Sequence, residues 1–120
     1  MINVRQNAAR VIRDIATTYD ELMSWLGHRS PIVLDETGPI PVLVINHGKC
    51  NGQAATISAN AYQMAHQELH LAAAATSWLA CPTTDLDTMT VITGEITQHL
   101  MQIKECNEAL RTAVLEAHGL

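Results

Sequence analysis

The segment from Gln53 to Ala80 most constrains the fold, because it carries a single formally charged residue, Glu68. Small and apolar residues repeat along it at helical spacing, and Pro82 follows, so the segment is predicted to form a helix over residues 54–80. A surface helix of a monomer normally presents charged side chains to water. We therefore predict that this helix is covered on most sides, either at the centre of the domain or at a subunit interface.

The first helix is predicted over residues 3–26. Asn3 is a suitable N-cap residue with Gln6 three positions later, and Gly27 can adopt the left-handed conformation that ends a helix. Apolar residues recur at steps of three and four and define one helical face. They are Ala8, Ile12, Ile15, Tyr19, Leu22 and Leu26.

A β-hairpin is predicted after this helix. Two short runs rich in β-branched residues, Ile32–Leu34 and Val42–Ile45, flank residues 35–41, whose Asp, Gly and Pro residues favour a turn. Pro39 and Pro41 cannot donate ladder hydrogen bonds, so they belong at an edge or at the start of a strand. The second strand is apolar on both faces, and one of those faces requires cover beyond the helices.

The third helix is predicted to begin at the capping pattern Thr84–Asp87, with Thr84 as the cap, and to reach Ala117. Its weak point is Gly94, where the helix either bends or continues. The chain is thus predicted to be an α+β protein, mostly α, with the order helix, β-hairpin and two long antiparallel helices. Its length of 120 residues predicts a single domain over residues 1–120.

Charge and cysteine content indicate the cellular compartment of the protein and the classes of partner that it is expected to bind. The net charge is −5, which disfavours nucleic acid and anionic membranes as partners, and the longest apolar stretch, residues 71–80, is about half of a membrane span. The three cysteines form no CxxC motif and their number is odd, which favours reduced thiols. Because the N-terminus also lacks the apolar run of a signal peptide, we expect a cytoplasmic protein. The cysteines are Cys50, Cys81 and Cys106.

Two histidines four residues apart are the strongest candidates for a ligand site. His66 and His70 are predicted to lie on the same side of the second helix, where both imidazoles can bind one metal ion. Glu95 and His99 have the same spacing on the third helix, so with Gln63 these residues define a candidate site between the two helices. A third metal ligand would come from His47, Cys50, Glu95 or His99. The alternative is that the histidines supply neutral polarity at an interface, and no cofactor is then expected.

Enzymatic motifs are sparse. Cys50 lies three residues after His47, but no orienting acid or oxyanion donor can be assigned to the pair. Arg111 and His118 are similar in spacing to the Arg-x4-6-His motif of HEPN ribonucleases, a resemblance that covers two residues and implies RNA cleavage that depends on Arg111. The predicted hairpin is not part of that family's four-helix pattern.

The sequence therefore favours a non-enzymatic interaction or regulatory protein, such as an adaptor, an inhibitor or a chaperone-like accessory module of bacterial or phage type. It contains more apolar surface than one chain of this size can hide, and a symmetric homodimer is the commonest way to hide it. The residues predicted at that interface are Val42, Val44, Met64, Leu71 and Trp78. The alternative function is binding of a small ligand or a metal ion between the second and third helices.

Overall fold

A computed structural model describes residues 3–27, 29–46 and 54–119, with side chains throughout except at residues 54–60. The predicted order of helix, hairpin and two long antiparallel helices is confirmed. The elements are α1 (Val4–Trp25), β1 (Ile32–Asp35), β2 (Val42–Ile45), α2 (Ala54–Leu79) and α3 (Leu86–Ala117). His47 and Cys50, considered above as ligand and nucleophile, lie outside the described residues.

Helix α1 begins and ends as the sequence predicts. The side chain of Asn3 accepts a hydrogen bond of 2.7 Å from the backbone N–H of Gln6, which satisfies one of the free donors at the helix start. Gly27 follows the helix with φ of +73°, a conformation that a Cβ atom would strain. The apolar face between these two ends is buried, with Ile12, Ile15, Tyr19 and Leu22 fully enclosed.

The hairpin lies against α2 through its second strand. Strands β1 and β2 are antiparallel, with Val33 opposite Val44 and Leu34 opposite Leu43. Leu43 is buried, and its backbone N–H donates to the hydroxyl oxygen of Thr76 in α2 at 3.1 Å. Alternation along the strands turns Val33 and Val44 outward, so one face of the hairpin stays exposed.

The start of α3 differs by one residue from the prediction. Asp85 is the N-cap, because its carboxylate accepts from the backbone N–H of Thr88 at 2.7 Å. The Thr84 hydroxyl, predicted to cap the helix, instead donates to the carbonyl oxygen of Trp78 at 2.7 Å and closes the turn between α2 and α3. An ionised carboxylate is the stronger acceptor at the positive end of a helix, which favours Asp85 in this role.

Helix α3 is the central packing element of the fold. It continues without a break through Gly94, and its 32 residues match the 50 Å long axis of the molecule. Both α1 and α2 pack extensively against α3 and have few contacts with each other. The core between them is aliphatic, and the predicted core residues Ile96, Leu100 and Ile103 are buried.

Candidate interaction face and histidine pair

Three large apolar side chains lie on the solvent side of α2. Met64, Leu71 and Trp78, here called the apolar stripe, are spaced by seven residues, which is close to two helical turns and places them in one row. Their exposed fractions are 49%, 55% and 68%. Single exposed apolar residues are common on proteins, but an aligned row of them on one helix is a feature of contact surfaces.

The stripe belongs to a larger exposed face of α2. We define the outer face of α2 by the exposed residues Gln63, Met64, Gln67, His70, Leu71, Ala74, Ser77 and Trp78. A central position in the domain was one explanation for the scarcity of charge in this helix, and it is wrong for the single chain. One side of α2 is buried, with Ala65, Leu69 and Ala72 fully enclosed, while the outer face is open to solvent.

The outer face of α2 carries no Asp, Glu, Lys or Arg. The only such residue in the helix, Glu68, is directed toward α3, where its carboxylate pairs with Nδ1 of His99. Both side chains of this pair are about four-fifths buried, with 21% of each exposed. The pair therefore fixes α2 to α3 and leaves the outer face without a formal charge.

The hairpin supplies a second exposed apolar area. Val44, predicted at an interface, is exposed, and Val33 stands directly opposite it in the ladder. Val42, also predicted there, is half-buried beside Pro41, which is buried. The structure thus leaves four of the five predicted interface residues well exposed and covers much of Val42.

His66 and His70 lie next to the apolar stripe. Their Nε2 atoms are 3.1 Å apart, and the rings meet edge to face with centroids 4.4 Å apart. Burial lowers the pKa of His66, and the neighbouring His70 lowers it further, because a charge on one ring disfavours a charge on the other. Together with Gln67 and Leu71 they line an open depression on the surface of α2.

The larger site predicted between α2 and α3 is not assembled in the structure. His99 is engaged with Glu68, whereas Gln63 and Glu95 are exposed side chains. Over residues 3–27, 29–46 and 54–119, with the side chains of 54–60 set aside, no group of three or more His, Cys, Asp or Glu residues is placed to hold a metal ion. Of the five predicted residues, the structure brings together the two histidines of α2.

Two polar contacts that join elements of the fold were not predicted from the sequence. They are the Glu68–His99 pair and the hydrogen bonds of Thr76. Periodicity shows that Glu68 and His66 lie on different sides of one helix, but it gives no register between two antiparallel helices. The isolation of Glu68 in an otherwise uncharged segment was the available signal, since a lone buried carboxylate requires a partner.

The residues that resemble the HEPN motif have separate surroundings. The guanidinium of Arg111 lies 3.6 Å from the Glu108 carboxylate and 6.0 Å from the centre of the Trp25 ring. His118 is the exposed C-cap residue of α3. Arg111 thus connects the end of α1 to α3 through a cation–π contact with the Trp25 ring.

The sequence matches no known protein family, and neither a curated protein nor a solved structure resembles the chain. Among the helices described, none has the length and apolar character needed to cross a membrane.

Proposed function

We propose that the protein is a small non-enzymatic interaction protein that acts as a homo-oligomer through the outer face of α2. The observation that carries this proposal is the apolar stripe, in which Trp78 is 68% exposed. Trp and other large side chains dominate binding energy when a partner buries them, because each removes a large apolar area from water. A dimer is the simplest assembly that covers the stripe.

The absence of charge on the outer face of α2 favours a second copy as the occupant. Each chain carries a net charge of −5, so two copies repel each other, and this repulsion is weakest when the facing surfaces carry no charge. A strongly charged partner protein would instead be recognised by a complementary charged face. An uncharged apolar face is compatible with itself, as a twofold symmetric contact requires.

The spacing of the apolar stripe also suits the packing of one α2 helix against another. Apolar residues repeated every seven positions form the seam along which two α-helices pack side by side. Helix α2 has 26 residues and is therefore about 39 Å long, which provides room for such a seam. The exposed Val33 and Val44 of the hairpin can extend the covered area.

The oligomeric state of Leu71→Asp tests this proposal. We expect the wild type to sediment as a dimer and Leu71→Asp as a monomer at the same concentration, because the carboxylate would be buried without a partner. Met101→Asp is the matched control, since Met101 on α3 is exposed to the same 55% and lies outside the stripe. Analytical ultracentrifugation measures the masses, and circular dichroism checks that each variant is folded.

A wild type that remains monomeric over the whole concentration range would contradict the proposal. So would a Leu71→Asp variant whose dimerisation equals that of the wild type. Loss of the dimer in Met101→Asp alone would place the contact on α3 instead of α2.

We also propose a cytoplasmic location and an accessory role such as adaptor, inhibitor or chaperone-like module. Cys81 and Cys106 are free thiols, which suits a reducing compartment.

A further inference from the structure

We propose that His66 and His70 are half of a binding site for a late first-row transition metal ion, Zn²⁺, Ni²⁺ or Cu²⁺, and that the same pair of a second copy completes it. The inference rests on the proposed self-association through the outer face of α2. It adds a ligand class and a means of control to that contact, because the ion would hold two copies together.

The geometry of the pair fits chelation. A zinc ion holds imidazole nitrogens at about 2.0–2.1 Å, so two of its nitrogens in tetrahedral geometry are about 3.3–3.4 Å apart. The Nε2 atoms of His66 and His70 are 3.1 Å apart, and a small rotation of either ring supplies the difference. In the absence of metal, a hydrogen bond joins the two Nε2 atoms. On metal binding the proton of that bond would move to Nδ1 of its own ring, which leaves a lone pair on each Nε2 for the ion.

The pair also suits a metal ion because no carboxylate competes for its rings. No carboxylate on the outer face of α2 pairs with either ring, since Glu68 is held by His99 on another side of the helix. Both Nε2 atoms are therefore available to a ligand that approaches from solvent.

The half-site is incomplete within one chain. Two imidazoles leave two positions of a tetrahedral ion open, and among the described side chains no third His, Cys, Asp or Glu completes the set. The pair lines the same surface depression as Leu71, the central residue of the apolar stripe. A second copy that covers the stripe brings its own His66 and His70 to this face, which provides four nitrogen ligands.

The surroundings of His66 also indicate how tightly the site would bind a metal ion. Ligating histidines usually donate their other ring N–H to an acceptor, and removing such a partner typically weakens metal binding by about 10–100-fold. Nδ1 of His66 is buried and has no hydrogen-bond partner in the described part of the chain. We therefore expect binding that is weaker than at a closed structural zinc site and reversible by a chelator.

The test measures self-association with and without metal. Untagged protein is stripped with EDTA, and its dimer dissociation constant is measured by analytical ultracentrifugation, first alone and then with ZnCl₂ or NiCl₂. Native mass spectrometry counts the ions per dimer. The variants are His66→Gln/His70→Gln, Leu71→Asp and, as a matched control, His118→Gln, which removes an exposed imidazole at the end of α3.

We expect one ion per two chains. An ion that binds only the dimer should tighten it about 100-fold when free metal is about 100 times its dissociation constant. The double histidine variant should dimerise like the metal-free wild type and show no response to metal, whereas His118→Gln should respond in full. Leu71→Asp should lose the metal-free dimer.

The failures of the two proposals are distinguishable. A metal-free dimer that zinc and nickel leave unchanged, one ion per chain, or an undiminished response in the double histidine variant would overturn the shared metal site and leave the apolar contact intact. A wild type that dimerises only with metal would support the histidine site and contradict self-association through the apolar stripe alone. A protein that is monomeric in all conditions would overturn both.

Discussion

Thr76 shows how a single hydroxyl can connect two elements. Its side chain is fully buried in α2, donates to the carbonyl oxygen of Ala73 at 2.7 Å and accepts from the backbone N–H of Leu43 at 3.1 Å. The hairpin strand would otherwise bury that N–H against a helix with no acceptor. A residue that sequence patterns assign to an ordinary helix interior therefore supplies a hydrogen-bond acceptor to the backbone of β2.

Thr76→Val should destabilise the fold by about 1–3 kcal/mol, because it leaves the buried N–H of Leu43 without an acceptor. Thr90→Val is the control, since the exposed Thr90 hydroxyl donates only to Leu86 of its own helix and its loss should change stability by about 0.5 kcal/mol or less. Urea unfolding followed by circular dichroism measures both. Equal losses in the two variants would show that the hairpin does not depend on this bond.

The two described cysteines should differ in reactivity. The hydroxyl of Thr83, 3.1 Å from Cys81 Sγ, lowers the pKa of the Cys81 thiol, whereas burial, the Glu68 carboxylate and Glu105 raise that of Cys106. Because the thiolate is the reactive form, Cys81 should be alkylated by iodoacetamide well before Cys106 at neutral pH. Peptide mass spectrometry after timed labelling separates the two sites. Faster modification of Cys106 would mean that the α2–α3 contact opens readily.

At the scale of elements, α3 is a continuous helix of 32 residues despite an internal glycine. Gly94 lies on the exposed side of the helix, and a Cβ atom built there meets nothing within 4 Å. The chain keeps helical geometry on both sides because Thr93 and Ile96 are buried and hold this stretch against the core. Tertiary packing thus overrides the weak intrinsic preference of glycine.

Gly94→Ala should stabilise the protein by about 0.5–1 kcal/mol, since alanine loses less backbone freedom in a helix and finds open space here. Differential scanning calorimetry measures the expected rise in melting temperature, and dimerisation should be unchanged. A fall in melting temperature would indicate that α3 bends at Gly94 in solution.

The elements were predictable to a greater degree than the contacts between them. Periodicity, the Asn3 cap, the turn residues and Pro82 are local signals, and each marks an element boundary to within a residue or two. The pairing of Glu68 with His99 joins positions 31 residues apart, and no local pattern encodes it. The histidine pair was predictable because its spacing is within one helix. Glu95 and His99 were grouped with it by an assumed packing of α3 beside the pair, and the structure pairs His99 with Glu68 instead.

For the whole molecule, the positions of the charged residues affect self-association more than the net charge does. The net charge of −5 resides outside the outer face of α2, so contact between copies through that face involves no ion pair of its own. Electrostatics then act on the dimer only as a general repulsion between two anionic bodies. Salt screens such repulsion over a distance of about 10 Å at 0.1 M.

Dimerisation should therefore hold or become tighter as salt is raised. The dissociation constant measured by analytical ultracentrifugation at low salt should exceed or equal that at high salt, because screening removes repulsion and leaves apolar burial unaffected. A dimer that salt dissociates would place charged contacts at the interface and contradict the use of the outer face of α2.

The central position of α3 also has a consequence for biosynthesis. Helix α1 is made first, but the surface that covers its apolar face belongs mainly to α3, and about 90 residues separate the ends of the two helices. At typical translation rates, roughly 5–20 s pass before that cover leaves the ribosome. During this interval Ile12, Ile15 and Leu22 of the nascent chain are open to other molecules. The first of these helices to be synthesised thus depends on the last for the surface that buries its apolar face.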